Sequence, residues 1–212
     1  MIRGCIFDMD GLLFDTERVF QETWQELAEE RGIALADSFV ADITGTSGEE
    51  MDRILETYYR TENGQAIRLE CKRRMKNKLA LHVPVKEGAF RILETCRSLG
   101  IRTAVASSSP MEQIRSNLAQ AGMEKYFDAL ASGEEVRHGK PAPDIFLLAA
   151  EKIRIAPGEC AVFEDSIHGI EGAVAARMLP VMIPDLMAPD EMCRHMARIY
   201  GNLGEAAEKL FD

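Results

Sequence analysis

Short apolar runs alternate with stretches of helical periodicity along most of the 212-residue chain. The first run, Cys5-Ile6-Phe7, stops at Asp8 and reads as a buried strand. From Val19 the pattern turns helical. Val19, Phe20, Thr23, Trp24, Leu27 and Ala28 share one face, Glu22, Glu26, Glu29 and Glu30 lie on others, and Gly32 marks the end. Further helices are predicted over 49–60 and 65–80, the second with Ile67, Cys71, Met75 and Leu79 on one stripe. No strand pattern shows between 16 and 81. After His82-Val83-Pro84 the alternation resumes: helix 86–99, strand 101–106, helix 110–121, strand 126–130, helix 143–153, strand 160–163, helix 166–177, strand 179–183, then strand 199–200 and helix 205–210.

Strand–helix alternation predicts an α/β fold, a doubly wound parallel sheet with helices on both faces. The all-helical block interrupts it after the first strand. The expected organisation is therefore a core of residues 1–15 and 82–212 carrying an inserted α-helical cap of residues 16–81. No internal repeat or low-complexity segment shows.

Composition narrows the function. With 25 Lys plus Arg against 35 Asp plus Glu, the formal charge is −10, which disfavours nucleic acid or an anionic membrane as a partner. An anionic substrate would need local positive charge at its site. No apolar run approaches the ~20 residues of a membrane helix, and Met1–Phe7 is too short for a secretion signal. A cytoplasmic monomer is expected. Cys5, Cys71, Cys96, Cys160 and Cys193 lack Cys-x-x-Cys spacing and read as reduced core residues. The basic run Lys72–Lys78 lies on an amphipathic helix with Met75 and Leu79, so it reads as a solvated cap face. Trp24 and its neighbours read as cap core.

In doubly wound sheets, ligands bind beyond the carboxyl ends of the strands. Asp8, Asp10 and Gly11 follow the first predicted strand, and Ser107-Ser108-Ser109 the second. Gly139-Lys140-Pro141 comes after the third, past a loop, and Glu164-Asp165 after the fourth. Taken singly, Asp-x-Asp reads as a turn or cap, the serines as an N-cap cluster, and Lys140 as a surface lysine. Together, in order and at successive strand ends, they point to phosphoryl transfer. Gathered carboxylates repel one another unless a cation sits among them, and oxygen-only ligands suit Mg²⁺. Lys140 is a compact charge suited to a phosphate. Serine hydroxyls and the amides of the helix starting near Pro110 suit phosphate oxygens. Ser109, Pro110 and Glu112 have the spacing of N-cap, N1 and N3.

These stretches resemble the four motifs of the haloacid dehalogenase superfamily in its β-phosphoglucomutase-like, helical-capped phosphatase form. Ile6-Phe7-Asp8-Met9-Asp10-Gly11-Leu12-Leu13-Phe14-Asp15-Thr16-Glu17 is similar to the first motif. Val105–Ser109 is similar to the second, Gly139–Phe146 to the third, and Phe163–Gly169 to the fourth. The resemblance implies that Asp8 is the nucleophile and a metal ligand. It implies that Asp10 is the general acid/base and lends its backbone carbonyl to Mg²⁺, that Asp165 with Glu164 completes the metal site, and that Ser107 and Lys140 hold the phosphoryl group. Ser108, beside Ser107, is a further candidate phosphate-binding residue.

Within that family Asp10 argues against the dehalogenase branch, which lacks this residue. The mutase branch has a Lys and an Arg flanking the cap loop where this chain has Thr44 and Gly48, and a histidine where it has Phe20. The expected function is hydrolysis of a small phosphorylated metabolite, a sugar phosphate or a nucleoside monophosphate. A sugar phosphomutase is the alternative, and a non-catalytic phospho-acceptor is disfavoured by Asp10. Thr44, Gly45 and Thr46 are the candidate specificity residues. Thr46 and Glu49 also have capping-box spacing, so the same loop reads equally as a helix cap. His138 reads as a loop residue and His168 as structural.

Overall fold

The computed structural model describes residues 1–44, 46–185 and 188–211. The chain divides into two compact units, Met1–Asp15 with Val83–Asp212, and Thr16–His82. The second crossing falls one residue beyond the expected boundary, because the last helix of the insertion runs through Leu81 and His82 closes it.

The larger unit holds a six-stranded parallel sheet. Its strands are β1 (Gly4–Phe7), β2 (Arg102–Ser107), β3 (Ala129–Ser132), β4 (Cys160–Glu164), β5 (Leu179–Met182) and β6 (Arg198–Ile199), in spatial order β3-β2-β1-β4-β5-β6. β1 is fully buried between β2 and β4. The chain leaves β1 in one direction for β2 and β3, then returns to the other side of β1 for β4. That reversal is the switch point at which such sheets open a crevice. The register aligns the polar strand ends. Phe7 pairs with both Val105 and Phe163, so one residue further along the three central strands stand Asp8, Ala106 and Glu164.

The apolar runs become strands because both faces of the sheet are covered. Ile6, Ala104, Ala106, Ala131 and Val162 form a core with residues of two helices. The alternate residues face the other way: Phe7 stacks on Phe163 with ring centroids 4.6 Å apart and meets Phe127 edge-on at 6.1 Å.

The inserted unit contains α1 (Thr16–Glu29), α2 (Phe39–Ile43), α3 (Gly48–Tyr59) and α4 (Gly64–Leu81). Trp24, Leu27, Phe39, Leu55, Tyr59, Ile67 and Cys71 make its core. The Tyr59 hydroxyl donates to the Trp24 carbonyl at 2.6 Å. Three members of the basic run on α4 are paired: Arg73 and Arg74 hold Glu70, Arg74 also holds Glu30, and Lys78 holds Glu26.

The larger unit carries α5 (Ala89–Ser98), α6 (Met111–Ala121), α7 (Asp144–Ile153), α8 (Ile167–Ala175), α9 (Glu191–Met196) and α10 (Leu203–Lys209). Several boundaries differ from the sequence pattern. The helix expected from Lys86 begins at Ala89, behind a left-handed Gly88. Residues Glu124–Tyr126 form a 3₁₀ turn and the strand begins only at Ala129, because Phe127 turns its ring onto Phe7. The short helices α2 and α9 carry too few residues for a periodicity to show in the sequence.

Candidate active site

β1 ends at Phe7, and the backbone of Asp8 still donates to the Phe163 carbonyl at 3.0 Å, which fixes Asp8 at the strand tip. The chain then turns tightly. Gly11 takes φ +83, a left-handed conformation that side chains disfavour, and its amide donates to the Phe14 carbonyl at 2.9 Å. A Cβ on Gly11 would also collide with the Asp165 carboxylate, so both conformation and space demand glycine here.

Lys140 joins the strand ends. Its ammonium lies between the Asp8 and Glu164 carboxylates and reaches the Ala106 carbonyl at 3.2 Å. It also stands 5.1 Å from the Phe146 ring centre. The other oxygen of Glu164 accepts a 2.8 Å hydrogen bond from the Ser166 hydroxyl. That hydroxyl in turn accepts from the Gly169 amide at 3.1 Å and so caps α8. Gly169 is required by close approach, since the Glu164 carboxyl group fills the place where its Cβ would stand.

Asp8, Glu164 and Asp165 bring one carboxylate oxygen each within 4.8 Å of one another. Burial pushes the Asp8 carboxyl up to about 7, Lys140 opposing and Glu164 and Asp10 adding to the rise. Burial, with Glu164 and Asp8 behind it, likewise drives Asp165 well above the usual carboxylate range. Burial works against the Lys140 ammonium, but Asp8 and Glu164 hold its pKa above that of an ordinary lysine. One ammonium therefore does not neutralise three gathered carboxylates. A hard divalent cation with oxygen ligands fits this donor set in charge, ligand type and spacing.

The Asp10 carboxylate is engaged elsewhere, accepting a 2.8 Å hydrogen bond from the Ser109 hydroxyl. Here the helix-start expectation needs correction. Ser109 does not cap α6; the N-cap position falls on Pro110, and the Met111 amide donates instead to Glu134 Oε2 at 3.0 Å. Ser107 is buried at the end of β2, and its hydroxyl oxygen accepts from the Ser109 amide at 3.1 Å. Ser132, at the tip of β3, donates to the Ser109 carbonyl at 2.8 Å. Ser109 is thus braced from two strand ends. Ser108 is exposed beside them. His138 is an exposed loop residue paired with Asp144 at 3.1 Å.

The structure therefore brings Asp8, Lys140, Glu164 and Asp165 into one cluster, with Asp10 on the adjoining β1 turn. Among the candidate cap residues, Thr44 donates its hydroxyl to the Val40 carbonyl at 2.5 Å and Thr46 to the Ile43 carbonyl at 2.7 Å. Gly45 lies outside the described residues. The capping box expected from Thr46 and Glu49 does not form: the N-cap of α3 is Ser47, without a side-chain cap bond, because Thr46 turns back to α2. Sequence reasoning misses the roles of Ser109 and Ser166. Ser109 sits in a run of three serines that looks like a cap, and Ser166 looks like nothing more than a helix start.

Known proteins share this architecture. A Thermotoga maritima phosphorylated carbohydrates phosphatase is 35% identical over 179 residues, 82% of each chain. A fructose-1-phosphate phosphatase of Escherichia coli is 31% identical over 178 residues, 82% of this chain and 93% of the other. The crystal structure of a provisionally named β-phosphoglucomutase from Thermotoga maritima superposes with a TM-score of 0.83 at 27% identity, covering 99% of this chain and 98% of that one. The haloacid dehalogenase-like hydrolase family matches residues 2–177, and the chain belongs to that family.

Proposed function

We propose that this hydrolase is a Mg²⁺-dependent phosphatase that cleaves a small phosphate monoester through an aspartyl-phosphate on Asp8. The carrying observation is the meeting of Asp8, Lys140, Glu164 and Asp165 at the central strand ends, with Asp10 two residues beyond Asp8 and hydrogen bonded by Ser109. Asp8, Glu164 and Asp165 would hold Mg²⁺, with the Asp10 carbonyl as a further oxygen. When bound, the ion neutralises the carboxylates and the phosphoryl oxygens, so that an anionic nucleophile and an anionic ester can meet.

The steps fall to the chain's own groups. An Asp8 oxygen attacks phosphorus, and the P–O bond to the alcohol breaks. Asp10, protonated, gives its proton to the leaving oxygen. Lys140 opposes protonation of the Asp8 carboxylate and faces the phosphoryl group, with Ser107 and Ser108 as the further phosphate donors. In the second half Asp10, now a carboxylate, takes a proton from water as that water attacks phosphorus, and Asp8 departs as the carboxylate.

A sugar phosphate is the favoured substrate class, because relatives named as carbohydrate and fructose-1-phosphate phosphatases support it. A nucleoside monophosphate is the other member of the class. Specificity is assigned to the loop of Thr44, Gly45 and Thr46. The mutase reading draws on the name of the Thermotoga structure. It is disfavoured by Thr44 and Gly48, which offer no cation to a second phosphate.

The test is phosphate release from an aryl phosphate and a panel of sugar phosphates and nucleoside monophosphates. The reading predicts turnover with Mg²⁺, loss in EDTA, and a fall of more than about three orders of magnitude in Asp8→Asn. Isomerised sugar phosphate without free phosphate would establish the mutase instead.

A further inference from the structure

The loop after β5 carries a carboxylate that the phosphatase reaction does not use. Lys86 Nζ donates to Asp185 Oδ1 at 2.6 Å and stands 3.8 Å from Asp15 Oδ1. The second oxygen, Asp185 Oδ2, is shut off from solvent and has no hydrogen-bond partner among the described residues. A buried carboxylate oxygen with no donor is costly, so such an atom marks a place where a donor arrives.

Gly11 shows where that place is. A Cβ built on Gly11 would overlap the Asp165 carboxylate and lie 3.5 Å from Asp185 Oδ2. Asp165 and Asp185 thus close on the same small space over the β1 turn. Asp165 is one of the three clustered carboxylates. Mg²⁺ sheds its hydration shell reluctantly, and the waters it keeps are strong donors in need of acceptors. Two carboxylates meeting beside the same glycine, one of them with an unpartnered buried oxygen, would offer such a water both a ligand to stand beside and an acceptor.

We infer that Asp185, fixed by Lys86, is a positioning residue for the metal centre, its Oδ2 accepting a hydrogen bond from a water of the Mg²⁺ shell on the Asp165 side. Lys86 occupies one oxygen and thereby aims the other. This role for Asp185 rests on Mg²⁺ binding by Asp8, Glu164 and Asp165.

The experiment is calorimetric Mg²⁺ binding to the full, substrate-free chain, with metal-free thermal melts alongside. Asp185→Ala removes the acceptor and is expected to raise the Mg²⁺ dissociation constant about tenfold. Asp185→Asn is isosteric. Lys86 claims its single amide oxygen and turns the NH₂ group, a donor, toward the water, so affinity falls here too. A merely structural role would lower the metal-free melting temperature and leave the dissociation constant in place. Either folded variant binding Mg²⁺ within about twofold of the unsubstituted protein overturns the inference. Absence of Mg²⁺ binding by the unsubstituted protein would instead overturn the metal reading on which it stands.

Discussion

The Ser109 hydroxyl donates to Asp10 Oδ2 across 2.8 Å, tying the loop after β2 to the turn after β1. Ser132 and Glu134, at the end of β3, hold the Ser109 carbonyl and the Met111 amide in turn. The orientation of Asp10 is therefore set by three neighbouring strand ends. A hydrogen bond to a charged group is worth about 1.5–3 kcal/mol. Ser109→Ala is expected to lower kcat about tenfold or more with KM nearly unchanged, because Asp10 handles the proton and not the binding. Steady-state kinetics on an ester with a poor leaving group checks this. An equal rise in KM with kcat intact would assign Ser109 to binding.

Gly169 gives a stability prediction. Its missing side chain leaves room for the Glu164 carboxyl group, which is only 1% exposed. Gly169→Ala forces that group aside and strains the start of α8, at a cost of about 1–3 kcal/mol. It also pulls Glu164 away from Ser166 and Lys140. Urea denaturation is expected to show a lower midpoint with an unchanged slope.

The buried carboxyls make stability depend on pH and metal together. Asp8 is pushed up to about 7, and Asp165 is raised as well. Both titrate near 4 in the unfolded chain. Between about pH 4 and about pH 7 the metal-free folded protein binds more protons than the unfolded chain, so these groups make stability fall as pH rises through that window. A bound cation replaces the proton. The gain in melting temperature from millimolar Mg²⁺ should therefore be larger near about pH 8 than near about pH 5.5. An equal gain at both would separate these carboxyls from the metal site.

How far the sequence reveals such a site depends on what positions each residue. Asp8 and Glu164 stand out because buried strands read as apolar runs and the first polar residue marks the rim. Lys140 follows no strand directly; alone it reads as a surface lysine, and its place is readable only in series with the other strand-end groups and through the motif that it shares with a known family. Ser109 misleads because its spacing to Glu112 is that of a helix cap, while the group that takes over at the helix start, Glu134, lies 23 positions from Met111. Asp185 is invisible in the sequence for the same reason: Lys86 is 99 positions away and Gly11 is further still. The strand expected from Tyr126 begins later because aromatic residues suit both a strand and the packing of a turn onto Phe7. Alternation and strand-end chemistry are local signals; hydrogen bonds between loops are not.

Covalent capture of phosphorus by Asp8 is the step on which the phosphatase reading turns. An aryl phosphate has a leaving group that needs no proton, so Asp10→Asn still permits the first half-reaction while slowing attack by water. Incubating that variant with an aryl phosphate and Mg²⁺, then quenching in acid and mapping peptides by mass spectrometry, tests the claim directly. Phosphate on Asp8, absent in EDTA, is the predicted result. A protein that releases phosphate with no label on Asp8, and that keeps its activity as Asp8→Asn, would contradict it.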